Sequence, residues 1–300
     1  MSVSVQNIKK SYGKVHALKG VSFEARKGEL FGIIGPDGAG KTTLFRILTT
    51  LLTADEGSAT VDGLDVKRDY KRIRRRIGYM PGRFSLYQDM SVEENLSFFA
   101  SVFDTTIQAN YRLIEDIYKQ IEPFKKRRAG KLSGGMKQKL ALCCALIHKP
   151  SVLFLDEPTT GVDPVSRKEF WQMLHRLQAQ NITIVVSTPY MDEAMLCDRI
   201  ALIREGLFLT IDTPAQIIAG FKAPLYAASS INMSRLLTHL RQLPEIKSSY
   251  AFGDVHHVVL DRNESLSIVA NRLKESGFAD IEMHPITPTV EDRFLLMIND

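Results

Sequence analysis

Gly35-Pro36-Asp37-Gly38-Ala39-Gly40-Lys41-Thr42-Thr43 stands between two apolar runs, Leu30-Phe31-Gly32-Ile33-Ile34 before it and Leu44-Phe45-Arg46-Ile47-Leu48 after it. The first run is short and β-like and the second has helical spacing, so the glycine-rich stretch is a turn from strand into helix. In that context the pattern G-x-x-x-x-G-K-[ST] describes a phosphate cradle. Glycines let the backbone wrap closely with N–H groups pointing inward, and the helix start adds positive potential. Lys41 offers a point charge to β- and γ-phosphates, and Thr42 offers a hydroxyl to Mg²⁺, a hard cation normally shared with phosphate oxygens. A merely flexible glycine turn would not need the flanking strand and helix.

Working outward, strand-like and helix-like stretches alternate over residues 1–220, which predicts an α/β domain with a largely parallel core sheet. Val152-Leu153-Phe154-Leu155 and Ile182-Thr183-Ile184-Val185-Val186 are nearly continuous apolar runs, as strands buried on both faces require. The first of them ends in Asp156-Glu157, placing one carboxylate for a metal and a second where it can polarise a water. Around residues 91–121, Phe98, Phe99, Val102 and Phe103, then Leu113, Ile114, Ile117 and Ile121, recur at helical spacing, which predicts an inserted helical subdomain over about 84–148. Glu205-Gly206 marks a hairpin closing the first domain. Residues 221–300 then follow the order βαββαβ of a ferredoxin-like split unit, an accessory α+β domain. His256 and His257 are adjacent in one of its strands, point to opposite faces, and read as ordinary strand residues rather than metal ligands.

Composition excludes several function classes. The chain has 300 residues, 44% hydrophobic and 24% charged, which is ordinary for a packed globular protein. Cys143, Cys144 and Cys197 have neither zinc-site spacing nor the even count of a disulfide framework, and are expected to be reduced and mostly buried. No apolar run reaches the roughly 18 residues of a spanning helix, and the N-terminus lacks the features of a secretory leader. The net charge of +5 raises nucleic acid as a partner. The basic residues, however, gather in the runs 71–76 and 125–131 without interleaved aromatics for base stacking, so no nucleic-acid partner is expected. Each run is most simply a solvated face, with anionic lipid headgroups beside a membrane partner as the alternative.

With Leu132-Ser133-Gly134-Gly135-Met136-Lys137-Gln138 added, residues 1–220 resemble the nucleotide-binding domains of ABC transporters. The resemblance implies a P-loop NTPase cassette with ATP and Mg²⁺ as cofactors. Gly35 to Thr43 would hold the phosphates, Thr42 and Asp156 the metal, and Glu157 would act as general base. It further implies that Ser133, Gly134 and Gly135, at a helix N-terminus that favours anions, serve the γ-phosphate held by an opposing subunit. Tyr12 resembles the aromatic that stacks on adenine, and Asp163 the loop residue that crosses the dimer interface. Pro288 to Leu295 resembles the closing segment of export-type cassettes. The implied partners are a second cassette, in a homo- or heterodimer, and integral membrane permease subunits. The implied location is the cytoplasm, peripheral on the inner face of the cell membrane.

Two positions depart from the family pattern. Gly82 follows Tyr79-Met80-Pro81 where the family has glutamine, and Pro189 follows Ser187-Thr188 where it has histidine. Glycine has no side chain, and proline supplies neither a side-chain donor nor an N–H. Losing one preorganised donor costs on the order of 10²–10³ in rate, so the expectation is good ATP binding with slow hydrolysis, with Arg83 and Thr188 as substitute groups. The leading expectation is a transport ATPase serving an exporter. Its rival is a degenerate nucleotide-dependent regulatory module, and retention of Glu157 favours the former.

Overall fold

The computed structural model describes residues 1–261 and 265–299. It divides into two compact units, Met1–Thr213 and Pro214–Asp300. The division falls ahead of a short helix, Pro214–Ala219, that sequence patterning had joined to the first domain.

The first unit begins with strands β1 (Val3–Tyr12), β2 (Val15–Ala25) and β3 (Leu30–Ile34), then helix α1 (Lys41–Leu48). Strands β4 (Glu56–Val61) and β5 (Leu64–Asp65), helix α2 (Tyr70–Arg74) and strand β6 (Ile77–Met80) follow. Three helices, α3 (Val92–Val102), α4 (Ile107–Tyr118) and α5 (Gly134–Leu146), separate β6 from β7 (Val152–Asp156). Helix α6 (Pro164–Ala179), β8 (Thr183–Thr188), β9 (Arg199–Arg204) and β10 (Leu207–Asp212) complete the unit.

An antiparallel sheet of order β2-β1-β4-β5 faces a six-stranded sheet of order β10-β9-β3-β8-β7-β6. In the second sheet every pairing is parallel except β9 with β10. Helix α1 packs against β7 on one side and β2 and β4 on the other. Its Leu44, Phe45, Ile47 and Leu48 join Val5, Leu18, Phe154 and Val185 in one core cluster. All residues of β3, β7 and β8 are buried, which is why they read as nearly continuous apolar runs rather than alternating ones. The loops that matter leave this sheet at the C-terminal ends of parallel strands, where α/β folds place ligands.

The helical insertion has local causes. Ser91 and Glu94 form a capping box that starts α3, and Thr106 caps α4. Asp104, with φ of +54°, breaks the chain between them.

The second unit contains α7 (Pro214–Ala219), β11 (Leu225–Ser229), α8 (Met233–Leu240), β12 (Ile246–Phe252), β13 (Val255–Leu260), α9 (Leu266–Glu275), β14 (Glu282–Pro285) and α10 (Val290–Asn299). The strand order β12-β13-β11-β14 is antiparallel throughout, the arrangement of a ferredoxin-like βαββαβ unit. Leu236, Leu240, Val258, Leu260, Val269 and Leu273 form its core. The two histidines part company as alternation requires. His256 Nε2 lies 2.7 Å from the Met233 carbonyl. His257 Nδ1 lies 2.6 Å from Asp292, a fully buried carboxylate that also accepts the hydroxyls of Tyr250 and Thr289. His257 therefore belongs to a buried polar network, not to a plain strand face.

Candidate functional site

The turn from β3 into α1 is closed by steric necessity. A Cβ on Gly35 would stand 2.1 Å from the Ile203 carbonyl oxygen, and one on Gly40 would stand 2.4 Å from that of Ala17. Gly40, at φ +104°, is also the N-cap of α1, a conformation L side chains rarely adopt. Pro36, Asp37 and Gly38 are exposed, whereas Ala39 is buried and anchors the loop. Thr42 and Thr43, half-buried, occupy the first turn of α1.

Lys41 is the charged centre. Only 3% exposed, its Nζ donates to the Gly35 carbonyl at 2.7 Å and to the Pro36 carbonyl at 2.9 Å. It also meets Glu157 Oε1 at 3.0 Å, with exposed Asp37 at 3.9 Å. A buried ammonium is stable only with such partners, and here they fold it back over its own loop.

The acidic pair arrives from β7. Asp156, 1% exposed, accepts the Ser187 hydroxyl at 2.6 Å. The N–H of Glu157 donates to both the carbonyl and the Oγ of Ser187, at 3.1 and 3.0 Å. Glu157 has φ of +50°, a left-handed conformation that costs about 1–3 kcal/mol in a non-glycine residue and that gathers at functional sites. The double hydrogen bond to β8 over-determines it. Beside the pair, burial and the charge of Asp156 push the Tyr79 hydroxyl up to about 12, so it stays protonated.

A second group of predicted residues lies on α5 and α6. Ser133 caps α5, its hydroxyl accepting the Met136 N–H at 3.3 Å. Asp163 caps α6, and the Ser166 N–H it accepts at 3.0 Å holds its carboxyl below the usual range. The two caps are neighbours, since a Cβ on Gly135 would meet the Ser166 hydroxyl at 2.7 Å. Tyr12, at the end of β1, is 47% exposed and available for stacking.

Where the chain departs from the family pattern, the geometry is specific. A Cβ on Gly82 would stand 3.1 Å from the Asp156 carbonyl and 3.7 Å from Glu157 Cβ, so the missing side chain would begin beside the acidic pair. Thr188 is fully buried; its hydroxyl donates to Glu193 at 2.5 Å and accepts the Tyr190 N–H at 3.1 Å. That hydroxyl is therefore already engaged, while the Thr188 carbonyl accepts the Gly35 N–H at 3.2 Å at the start of the phosphate loop. Sequence reasoning missed Ser187 and Glu193. A polar Ser-Thr ending an apolar strand was a usable signal for the first, whereas nothing local marks the second.

The loop after Gly82 forms one wall of a groove of about 280 Å³ lined by Leu51, Tyr79, Leu86, Phe99, Phe103 and His148. Asn95, fully buried, holds that loop by bonding both N–H and C=O of Tyr87. Tyr87 is exposed, but Leu86 is only 7% exposed and belongs to the groove floor, not to the outer surface.

Comparison with known proteins places these features in context. The family model described as ABC transporter matches residues 18–160. A probable multidrug ABC transporter ATP-binding protein of Escherichia coli (strain K12) is 40% identical over 89% of this chain and 46% of its own length. The chain thus spans about half the length of that relative. A daunorubicin resistance ATP-binding protein of Streptomyces coeruleorubidus is 34% identical over 98% of this chain and 94% of its own. A linearmycin resistance ATP-binding protein of Bacillus subtilis (strain 168) is 36% identical over 85% and 86%. Among solved structures, cbiO1 of Clostridium perfringens, part of an ABC transporter complex, superposes with a TM-score of 0.65 at 28% identity, covering 73% of this chain and 90% of that one. A dimeric ATP-binding cassette in a post-hydrolysis state with ADP and Pi bound gives 0.64 at 26% identity, covering 70% and 98%.

Proposed function

The chain belongs to the ABC transporter ATP-binding proteins, and from that premise we propose that it is an ATP-binding and ATP-hydrolysing subunit that energises a separate membrane permease, as an exporter. The observation that carries this reading is the placement of Lys41 within 3.0 Å of Glu157 in a loop closed by Gly35 and Gly40. Export rests on the relatives named for drug resistance and for Nod factor export.

Lys41 and the inward N–H groups of the loop bind the phosphates, aided by the start of α1. Glu157 orients a water and takes its proton in line with the γ-phosphate. Thr42 and Asp156 form an all-oxygen donor pair of the chemistry Mg²⁺ prefers, and they would hold it jointly with nucleotide phosphates. The ion would neutralise charge on those phosphates. Ser133, Gly134, Gly135 and Asp163, gathered at two neighbouring helix caps, serve the site of a second cassette in a head-to-tail pair. Among the described residues no helix is long and apolar enough to cross a membrane, so the membrane step falls to a partner. The groove lined by Ser85 and Leu86 suits a short permease helix, and the adjoining Tyr87 is exposed with Phe98 in an edge-to-face pair.

Gly82 and Pro189 favour a second reading, a cassette whose own site binds ATP but turns it over slowly and whose Ser133 cap completes a stronger partner site. Lys41→Ala tests the common core of both. Removing a buried charge partner costs about 2–5 kcal/mol, so affinity for a fluorescent ATP analogue should fall roughly 30-fold or more. Affinity within a factor of about two of the native value would reject the loop as the nucleotide site.

A further inference from the structure

Glu193 lies in the turn Met191–Leu196, is 2% exposed, and has no nucleotide-binding or catalytic role assigned above. Its Oε2 accepts the Thr188 hydroxyl at 2.5 Å and the Thr159 hydroxyl at 3.1 Å. Its Oε1 accepts Arg167 Nε at 3.1 Å, with Arg167 Nη2 at 3.0 Å. A buried carboxylate is tolerated only when charge and donors surround it, and these donors come from three separate segments. Thr159 is in the loop leading to Asp163. Arg167 is on α6, the helix that Asp163 caps. Thr188 ends β8, directly before Pro189.

The same network fixes the residue after Pro189. Arg167 covers the Tyr190 ring at 4.2 Å and pairs with Asp192, while the Tyr190 N–H binds Thr188 Oγ1. A fully satisfied polar network rigidifies what it joins. The join here runs between the loop carrying Asp163 and the segment 188–190 that borders the acidic pair through Ser187.

We propose that Glu193 is a positioning residue for ATP turnover, holding the Asp163 loop and the Thr188–Tyr190 segment in one arrangement behind Glu157. It acts through Thr159, Arg167 and Thr188 and touches no nucleotide. The inference rests on the reading of the chain as an ATP-hydrolysing cassette. Nucleotide affinity depends on the Lys41 loop and is independent of Glu193, whereas turnover depends on where the Asp163 loop sits.

The experiment compares the full native chain, together with any cassette and permease that copurify, with Glu193→Gln, Thr159→Val and the double variant. Three quantities are read: affinity for a fluorescent ATP analogue, kcat and KM for ATP, and hydrogen exchange of the 159–163 amides. A misplacement of about 1 Å costs on the order of 10²-fold in rate, so kcat should fall about tenfold or more in Glu193→Gln. KM and analogue affinity should stay within about twofold. Exchange at 159–163 should accelerate, and the double variant should be no worse than Glu193→Gln alone, as expected for residues acting as a unit. The exchange readout does not depend on fast native turnover, and Thr159→Val preserves the test if Glu193→Gln folds poorly. Unchanged exchange at 159–163 overturns the proposal, as does an affinity loss matching the kcat loss. Faster exchange throughout the unit with a lowered melting temperature overturns it too, in favour of a purely structural role. A native chain that binds no ATP analogue removes the underlying reading and this inference with it; binding by the native chain with an unmoved loop in the variant removes this inference alone.

Discussion

Two loops leave neighbouring parallel strands of the same sheet, and they are built by opposite rules. The loop after β3 is defined by backbone: Gly35 and Gly40 sit where no Cβ fits, and Lys41 is folded back onto loop carbonyls. The end of β8 is defined by side chains that point inward. Ser187 binds Asp156, Thr188 binds Glu193, and Pro189 offers no donor at all. On the function proposed above, phosphate affinity would reside in the first loop, while the second would contribute alignment through its contacts rather than a direct hand on the substrate. A site divided this way should bind well and react slowly.

The sharpest way to break the contrast is at Gly35. Gly35→Ala forces a methyl to within 2.1 Å of the Ile203 carbonyl, so β3 and β9 must part or the loop must shift. Overpacking of this kind costs about 1–3 kcal/mol in stability. Nucleotide affinity should collapse further still, by roughly 100-fold or more, because the N–H cradle loses its geometry. A titration with a fluorescent ATP analogue, alongside the melting temperature, reads both. Native-like affinity would show that the loop's shape is not what binds.

Restoring the second loop comes next in expected size. Gly82→Gln with Pro189→His should raise turnover on the order of 10²-fold, the usual contribution of one recovered donor, while analogue affinity changes little. The glutamine Cβ meets the Asp156 carbonyl at 3.1 Å, which requires a shift of a few tenths of an ångström. Adding Glu157→Gln should erase the gain. If the native chain alone already turns over as fast as the repaired one, the contrast between the loops has no catalytic meaning.

The smallest effect lies away from both loops. Asp292 in the second unit is a buried carboxylate wired like Glu193, to Tyr250, His257 and Thr289. Burial pushes its carboxyl up, but hydrogen bonds from His257, Tyr250 and Thr289 outweigh it and hold the group below the usual range. Its charge therefore stabilises the fold above the unfolded-state value of about 3.9, and that contribution is lost as pH falls through the lower folded-state value. Asp292→Asn should cost about 1.5–3 kcal/mol near neutral pH, read as faster hydrogen exchange of β13 amides. The gap from native should hold to about pH 5 and narrow below about pH 4. A gap that widens on acidification would mean that His257, not Asp292, governs the network.

Much of the cassette was legible because its signals are local. The turn Gly35–Thr43 needs particular φ values and a helix start, the caps Ser133 and Asp163 act within three residues, and β7 and β8 announce burial on both faces by composition. The βαββαβ order of the second unit was readable for the same reason, since alternation and helical spacing are properties of short windows. Long-range partners were not. Ser187 reaches Asp156 across 31 positions and Glu193 reaches Thr159 across 34, and no window of sequence contains both ends. Nor does any short window show that Leu86, beside the exposed Tyr87, lines a groove with Phe99 and Phe103.

By itself the sequence determined which residues carry charge, which glycines are free of a Cβ, and where strands and helices begin and end, since these follow from side-chain chemistry and nearest-neighbour sterics. Only the tertiary structure decided that Thr188 is spent on Glu193, that Asp156 is held by Ser187, and that Asp292 ties α10 to its sheet. Each of these is a hydrogen bond between strands or helices distant in the chain, and it exists only once packing has excluded water and left a buried polar group no other partner.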